Sequence, residues 1–267
     1  MKFNFLSKPF PRNIAIQVEN EHYDKDQTGM SNAGVLIYAN SVLKIQELSE
    51  QSKNEYQMLC FLSDLGLAPR VICHDTQDDA DYLLMEKCQG KMLCDSEFLT
   101  NQKRVVELAT NFLKILWGTN IKKCPVNISL SNRLKLAEYN VRHNLVDLDN
   151  VESTTFGANG CFRDPEDLLK WLIDNQPSEE LVVTHGDFCL PNIFFDGMST
   201  KVIDVGRGGV ADKYQDIALL YRSLRDNLQG EYGTFYSTFD ENEFFATLGE
   251  VPNKEKLRYY MLLDELF

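Results

Sequence analysis

The hydrophobic pattern of the chain changes period near residue 90. "AGVLIYANSVLKIQE" (33–47) reads as two apolar strands around Asn40-Ser41, a hairpin pattern, and "DYLLMEK" (81–87) as a further strand. Between them, "SKNEYQMLCFLSDLG" (52–66) carries apolar residues at helical spacing, with Ser52 and Glu55 in capping-box register and Gly66 as a stop. After "KCQGKM" helical patterns dominate, at 102–118, 131–145 and 164–175, the last opening on a capping Asp164 with Pro165 at the first helical position. Short apolar strands return as "ELVVT" (180–184), "IFFD" (193–196) and "KVIDV" (201–205), the last two joined through a turn at Gly197. Helical periodicity closes the chain at 212–228 and 253–267. The expected fold class is α+β in two lobes: a small N-terminal β-sheet lobe with one helix (1–88) and a larger, mainly helical C-terminal lobe (89–267).

Composition narrows the partners. With 267 residues, 43% of them hydrophobic, the chain has material for a real core. Its 27 basic residues against 40 acidic ones give a formal net charge of -13, which argues against nucleic acid or an anionic membrane; a cationic partner is easier to accommodate, although charge alone favours acidity for solubility. Seven cysteines, odd in number and without a CxxC pair, read as reduced thiols. No signal-peptide core precedes Pro9 and Pro11, and no stretch is long enough to cross a bilayer. The cytoplasm is the expected location, and a monomer or weak dimer the expected assembly.

The candidate chemistry gathers in "VVTHGDFCLPNIFFDGMSTKVIDVGRGG" (182–209). His185 reads as a structural residue that hydrogen-bonds the loop backbone. A hairpin turning near Gly197 brings Asn192 and Asp204 side by side, an amide oxygen and a carboxylate suited to one hard cation such as Mg²⁺. Asp187, on the loop before the hairpin, is placed to accept or orient a hydroxyl proton. That set suits phosphoryl transfer, in which the protein positions groups and neutralises charge. The same chemistry needs a cation on the nucleotide phosphates and a group to hold it. Lys44, in the strand "VLKIQ", and Glu55, in the following helix, fill those parts, and "TGMSNAGV" (28–35), which contains Ser31, reads as the loop over the phosphates.

These residues resemble the aminoglycoside 3'-phosphotransferases, resistance kinases with a protein-kinase-like fold. The likeness runs through "TGMSNAGV", "VLKIQ", "NEYQMLCFL", "YLLMEKCQG", "HGDFCLPN", "IDVGRGGVADKYQD" and "YYMLLDELF". Related kinases for small metabolites such as choline share HGDxxxxN, but typically follow the metal aspartate with an acidic residue where this chain has Gly206-Arg207. The resemblance implies that Lys44, oriented by Glu55, contacts the α and β phosphates of ATP or GTP. It implies Mg²⁺ on Asn192 and Asp204, Asp187 as base, and backbone groups around Glu86 and Cys88 on the purine. It also implies drug contacts at Asp226, Asp264, Glu265 and the Phe267 carboxylate, with Arg207 and Asn227 nearby.

Two departures from the family pattern stand out. Thr154, Thr155 and Gly157 occupy a loop that is acidic in some relatives, leaving Glu152 and Asp149 as substitutes, and Val42 replaces an aromatic that some relatives stack on the base. The expected activity is phosphorylation of the 3'-hydroxyl of a kanamycin- or neomycin-type drug. One alternative is a kinase for another small cationic metabolite such as an amino alcohol. Another is a non-catalytic nucleotide-binding protein, against which the presence of Lys44, Glu55, Asp187, Asn192 and Asp204 counts.

Overall fold

The computed structural model describes residues 9–25, 33–149, 151–157 and 160–267. Ser31 and most of "TGMSNAGV" lie outside the described residues. The chain forms two compact units, Met1–Met92 with Asn192–Gly208, and Leu93–Pro191 with Gly209–Phe267. A single boundary at 88/89 therefore does not describe this division, because the hairpin after Pro191 groups with the first unit.

The first unit opens with helix α1 (Arg12–Gln17) and strand β1 (Asp24–Lys25). There follow β2 (Gly34–Ile37), β3 (Ser41–Glu47), helix α2 (Glu50–Asp64), β4 (Val71–Gln77), β5 (Ala80–Glu86) and β6 (Lys91–Met92). Strands β1 to β5 make one antiparallel sheet in the order β1-β2-β3-β5-β4. The β2–β3 hairpin is present as its pattern implies, but it turns at Ala39-Asn40, one residue before the expected Asn40-Ser41, with Ile37 opposite Val42. Apolar residues at period two on this sheet, among them Leu36, Leu43, Ile45, Tyr82 and Leu84, pack with Ile14 of α1. A second sheet joins β6 to the hairpin of β8 (Ile193–Phe195) and β9 (Thr200–Val202). Gly90, at φ +86°, leads into β6 where a Cβ would lie 2.1 Å from the Phe195 carbonyl oxygen, so only glycine fits.

The capping of α2 differs from the expected one. Ser49 is its N-cap, exchanging hydrogen bonds with Ser52 at N3, so the helix begins before residue 52. A hydroxyl at N3 serves as well as a carboxylate, which releases Glu55 to turn inward.

In the second unit, α3 (Ser96–Leu99), α4 (Gln102–Trp117), α5 (Leu130–Arg142) and α6 (Pro165–Asp174) precede β7 (Leu181–Thr184). Strand β10 (Gly209–Asp212) pairs antiparallel with β7, and α7 (Tyr214–Gln229), α8 (Glu241–Leu248) and α9 (Lys254–Asp264) complete the unit. Asp164 caps α6 by accepting from the Asp167 amide, with Pro165 next, as the sequence implies. Val105, Ala109, Phe112, Leu113 and Leu116 make the buried stripe of α4.

Candidate active site

Within the first unit, the apolar alternation of β3 leaves Lys44 buried beside Leu43 and Ile45. Such a cation needs partners. Its Nζ donates to Glu55 Oε1 at 2.8 Å, to Glu55 Oε2 at 2.9 Å and to Asp204 Oδ1 at 2.8 Å. Glu55, 2% exposed, also accepts from Gln46 Nε2 at 2.7 Å, a bond within the same strand-and-helix pair. Burial alone would lower the Lys44 ammonium, but the charges of Glu55 and Asp204 outweigh it and raise its pKa. Lys44 therefore stays charged.

Asn192 ends the turn before β8, and Asp204 lies two residues past β9 rather than at the end of a strand running to 205. The Ile203 amide donates to the Asn192 carbonyl at 3.1 Å, which extends the hairpin pairing beyond β9 and keeps its two ends together. Asp204 sits at φ +60°, a left-handed conformation that costs about 1–3 kcal/mol and persists where surrounding structure enforces it. Asn192 and Asp204 fit a hard cation, since they offer an amide and a carboxylate oxygen from the two ends of one hairpin. Among the described residues no cluster of three or more His, Cys, Asp or Glu could hold a metal. A cation here would take its other ligands from phosphates and water, the usual coordination of Mg²⁺.

The first unit also holds a cavity of about 220 Å³. Glu86, Cys88 and Gln89 line it from the segment after β5, with Asn40, Phe194 and Lys201. This is less than the roughly 300 Å³ at which whole-ligand pockets begin, and suits part of a ligand. Burial pushes the Cys88 thiol up to about 11, with the charge of Lys201 acting the other way.

Asp187 belongs to the second unit, on the loop after β7. Two amides of that loop, from His185 and Gly186, donate to the fully buried carboxylate of Asp216 at 2.9 and 2.8 Å. The Asp187 amide donates to His185 Nδ1 at 3.2 Å, so the histidine serves the loop backbone as its sequence context implies. Gly186 takes φ +82°, which a side chain would resist. Phe188 anchors the loop by stacking on Phe112 of α4, with centroids 5.7 Å apart. Burial raises the Asp216 carboxyl to about 6, held in check by His185 and by the amides it accepts from. Asp216 was not singled out from the sequence. Its one visible signal is an acid just inside the start of an apolar helix.

Asp226, Asp264, Glu265 and Glu152 of the second unit are already engaged. Arg222 pairs with Asp264 and, at 3.3 Å, with Glu265. Arg225 donates to Asp226 at 2.7 Å and to Glu152 at 2.9 Å, while the Glu152 amide donates to Glu265 at 2.9 Å. Four carboxylates thus share two guanidinium groups, and sequence reasoning found the acids without their arginines. Burial raises the Glu265 carboxyl to about 7, although the Glu152 amide and Arg222 pull it down. Asn227 turns its amide back onto the Ser223 carbonyl of its own helix at 2.8 Å. Arg133 lies 3.9 Å over the Phe267 ring, and Arg207 belongs to the first unit.

Comparison with known proteins shows the family. Residues 26–250 match the model of the phosphotransferase enzyme family APH. An aminoglycoside 3'-phosphotransferase of Enterococcus faecalis is 34% identical over 264 residues, 94% of this chain and 95% of that protein. One from Campylobacter jejuni is 36% identical over 219 residues, 80% of this chain and 81% of that protein. A crystal structure of an aminoglycoside-3'-phosphotransferase of type VIII, 26% identical, superposes with a TM-score of 0.78, covering 96% of this chain and 97% of the other.

Proposed function

We propose the reaction from one premise: the chain belongs to the phosphotransferase enzyme family and, within it, to the aminoglycoside 3'-phosphotransferases. It transfers the γ-phosphoryl group of ATP or GTP to the 3'-hydroxyl of a kanamycin- or neomycin-type aminoglycoside, and so confers resistance. The observation that carries this reading is the buried ammonium of Lys44, held by Glu55 and Asp204.

Lys44 neutralises the donor's phosphates, and Glu55 fixes its reach. Asn192 and Asp204 would hold Mg²⁺, which when bound supplies charge neutralisation to the transferring group. The cavity lined by Glu86 and Cys88 takes the purine. Asp187 accepts the proton of the attacking hydroxyl as the oxygen–phosphorus bond forms and the nucleoside diphosphate leaves. Asp226, Asp264 and Glu265 attract the drug's ammonium groups, which compete with Arg222 and Arg225 for the same carboxylates.

A growth-inhibition panel in a sensitive host tests the reading. Expression should protect against aminoglycosides bearing a 3'-hydroxyl and not against matched 3'-deoxy compounds. Equal protection against both sets, or none against either, would refute the assignment, and turnover confined to amino alcohols would favour a metabolite kinase.

A further inference from the structure

A lysine ammonium has three N–H donors, and Lys44 makes three contacts with them: Glu55 Oε1 at 2.8 Å, Glu55 Oε2 at 2.9 Å and Asp204 Oδ1 at 2.8 Å. A phosphate oxygen that Lys44 binds must therefore displace one of these acceptors. Displacement is costly where it strands a buried acceptor, and Glu55 is 2% exposed. Glu55 Oε2 escapes that cost, because Gln46 Nε2 also donates to it, at 2.7 Å. The strand sets this up. Residues 44 and 46 lie two apart in β3 and so share one face of the sheet, and both side chains reach Glu55 of α2 from it.

A neutral amide suits the place. It satisfies the oxygen and leaves the charge of Glu55 for Lys44, whereas a carboxylate there would repel Glu55. We infer that Gln46 is a positioning residue for the phosphoryl donor: it holds Glu55 Oε2 while Lys44 passes an N–H from that oxygen to a phosphate of the nucleotide. Gln46 acts through Glu55. The inference rests on the reading of Lys44 as the group that meets the donor's phosphates.

Steady-state kinetics with Mg²⁺, kanamycin and ATP or GTP test it, together with binding titrations of ADP against adenosine, or GDP against guanosine, to match the donor the wild type uses. Gln46→Met keeps the length of the side chain and removes the donor. It should raise the nucleotide KM roughly tenfold, the scale of one hydrogen bond to a charged group, and leave the kanamycin KM unchanged. Affinity for the nucleoside diphosphate should fall to a similar extent, while affinity for the nucleoside, which has no phosphates, stays at the wild-type value; a merely structural role would weaken both. Gln46→Glu should raise the nucleotide KM at least as far. In a Glu55→Gln background, Gln46→Met should add less than about twofold, because the two residues act as one unit. A wild-type nucleotide KM in either Gln46 variant, equal losses for diphosphate and nucleoside, or full additivity with Glu55→Gln overturns the assignment while leaving the phosphotransferase reading standing. A wild type that turns over neither nucleotide overturns both. Should Gln46→Met fail to fold, as a thermal melt would show, Gln46→Glu decides.

Discussion

Lys44 and Glu55 owe their effect to burial as much as to charge. Removing one partner of a buried pair leaves the other charge uncompensated, so Glu55→Ala should destabilise the protein by about 3 kcal/mol in urea unfolding and raise the nucleotide KM. Asp187→Ala should lower kcat by at least about 100-fold, the usual scale of a lost general base, with nucleotide binding nearly intact by fluorescence titration. Glu265 predicts a pH dependence. Its folded-state carboxyl is raised from 4.5 to about 7, so between those values the native state binds more protons than the unfolded chain. Stability from this group is then fully present below about 4.5 and is lost as pH rises to about 7. Melting temperatures of Glu265→Gln should fall less than those of the wild type across that window. For activity the sign reverses: at the proposed drug site ionised Glu265 would attract a cationic drug, so the drug KM should drop as pH rises through 7 in the wild type and stay flatter in the variant.

At the scale of elements, the loop after β7 is held from outside by α7. Asp216→Ala would strand the buried amides of His185 and Gly186, costing about 3 kcal/mol, and should lower kcat because Asp187 rides on that loop. Circular dichroism melts with single-turnover rates would separate the two effects. This loop also marks a limit on what the sequence makes legible. Strong periodicity revealed β2, β3, β5, α4 and α6 nearly to the residue, and local spacing paired Lys44 with Glu55. By contrast β4 reads "VICHDTQ", without clean alternation because it is an edge strand of half-buried residues. The start of α2 was misplaced because Ser49 and Ser52 both suit a cap, and only the packed structure shows which one uses it. Long-range partners left no local trace: Asp216 lies 30 residues from the amide of Gly186, and Arg222 lies 42 from Asp264.

For the whole molecule, the formal charge of -13 sets how a polycationic substrate arrives. Steering by the summed field is screened by salt over a Debye length of about 8 Å at physiological ionic strength. The kcat/KM for kanamycin should therefore fall as salt rises from about 0.05 to 0.5 M while kcat changes little, a response that falls away for a less charged acceptor. The internal pairing of Arg222 and Arg225 with the acidic residues should sharpen this dependence, since at the proposed drug site ammonium groups would exchange with guanidinium ions already in place. The position of the transferred phosphate reports most directly on the proposed reaction. Kanamycin incubated with the protein, Mg²⁺ and ATP or GTP should yield a monophosphate whose phosphorus couples to the proton on carbon 3' in a two-dimensional ¹H–³¹P NMR spectrum. Phosphate on any other hydroxyl, or unmodified kanamycin after prolonged incubation with both nucleotides, would contradict the account.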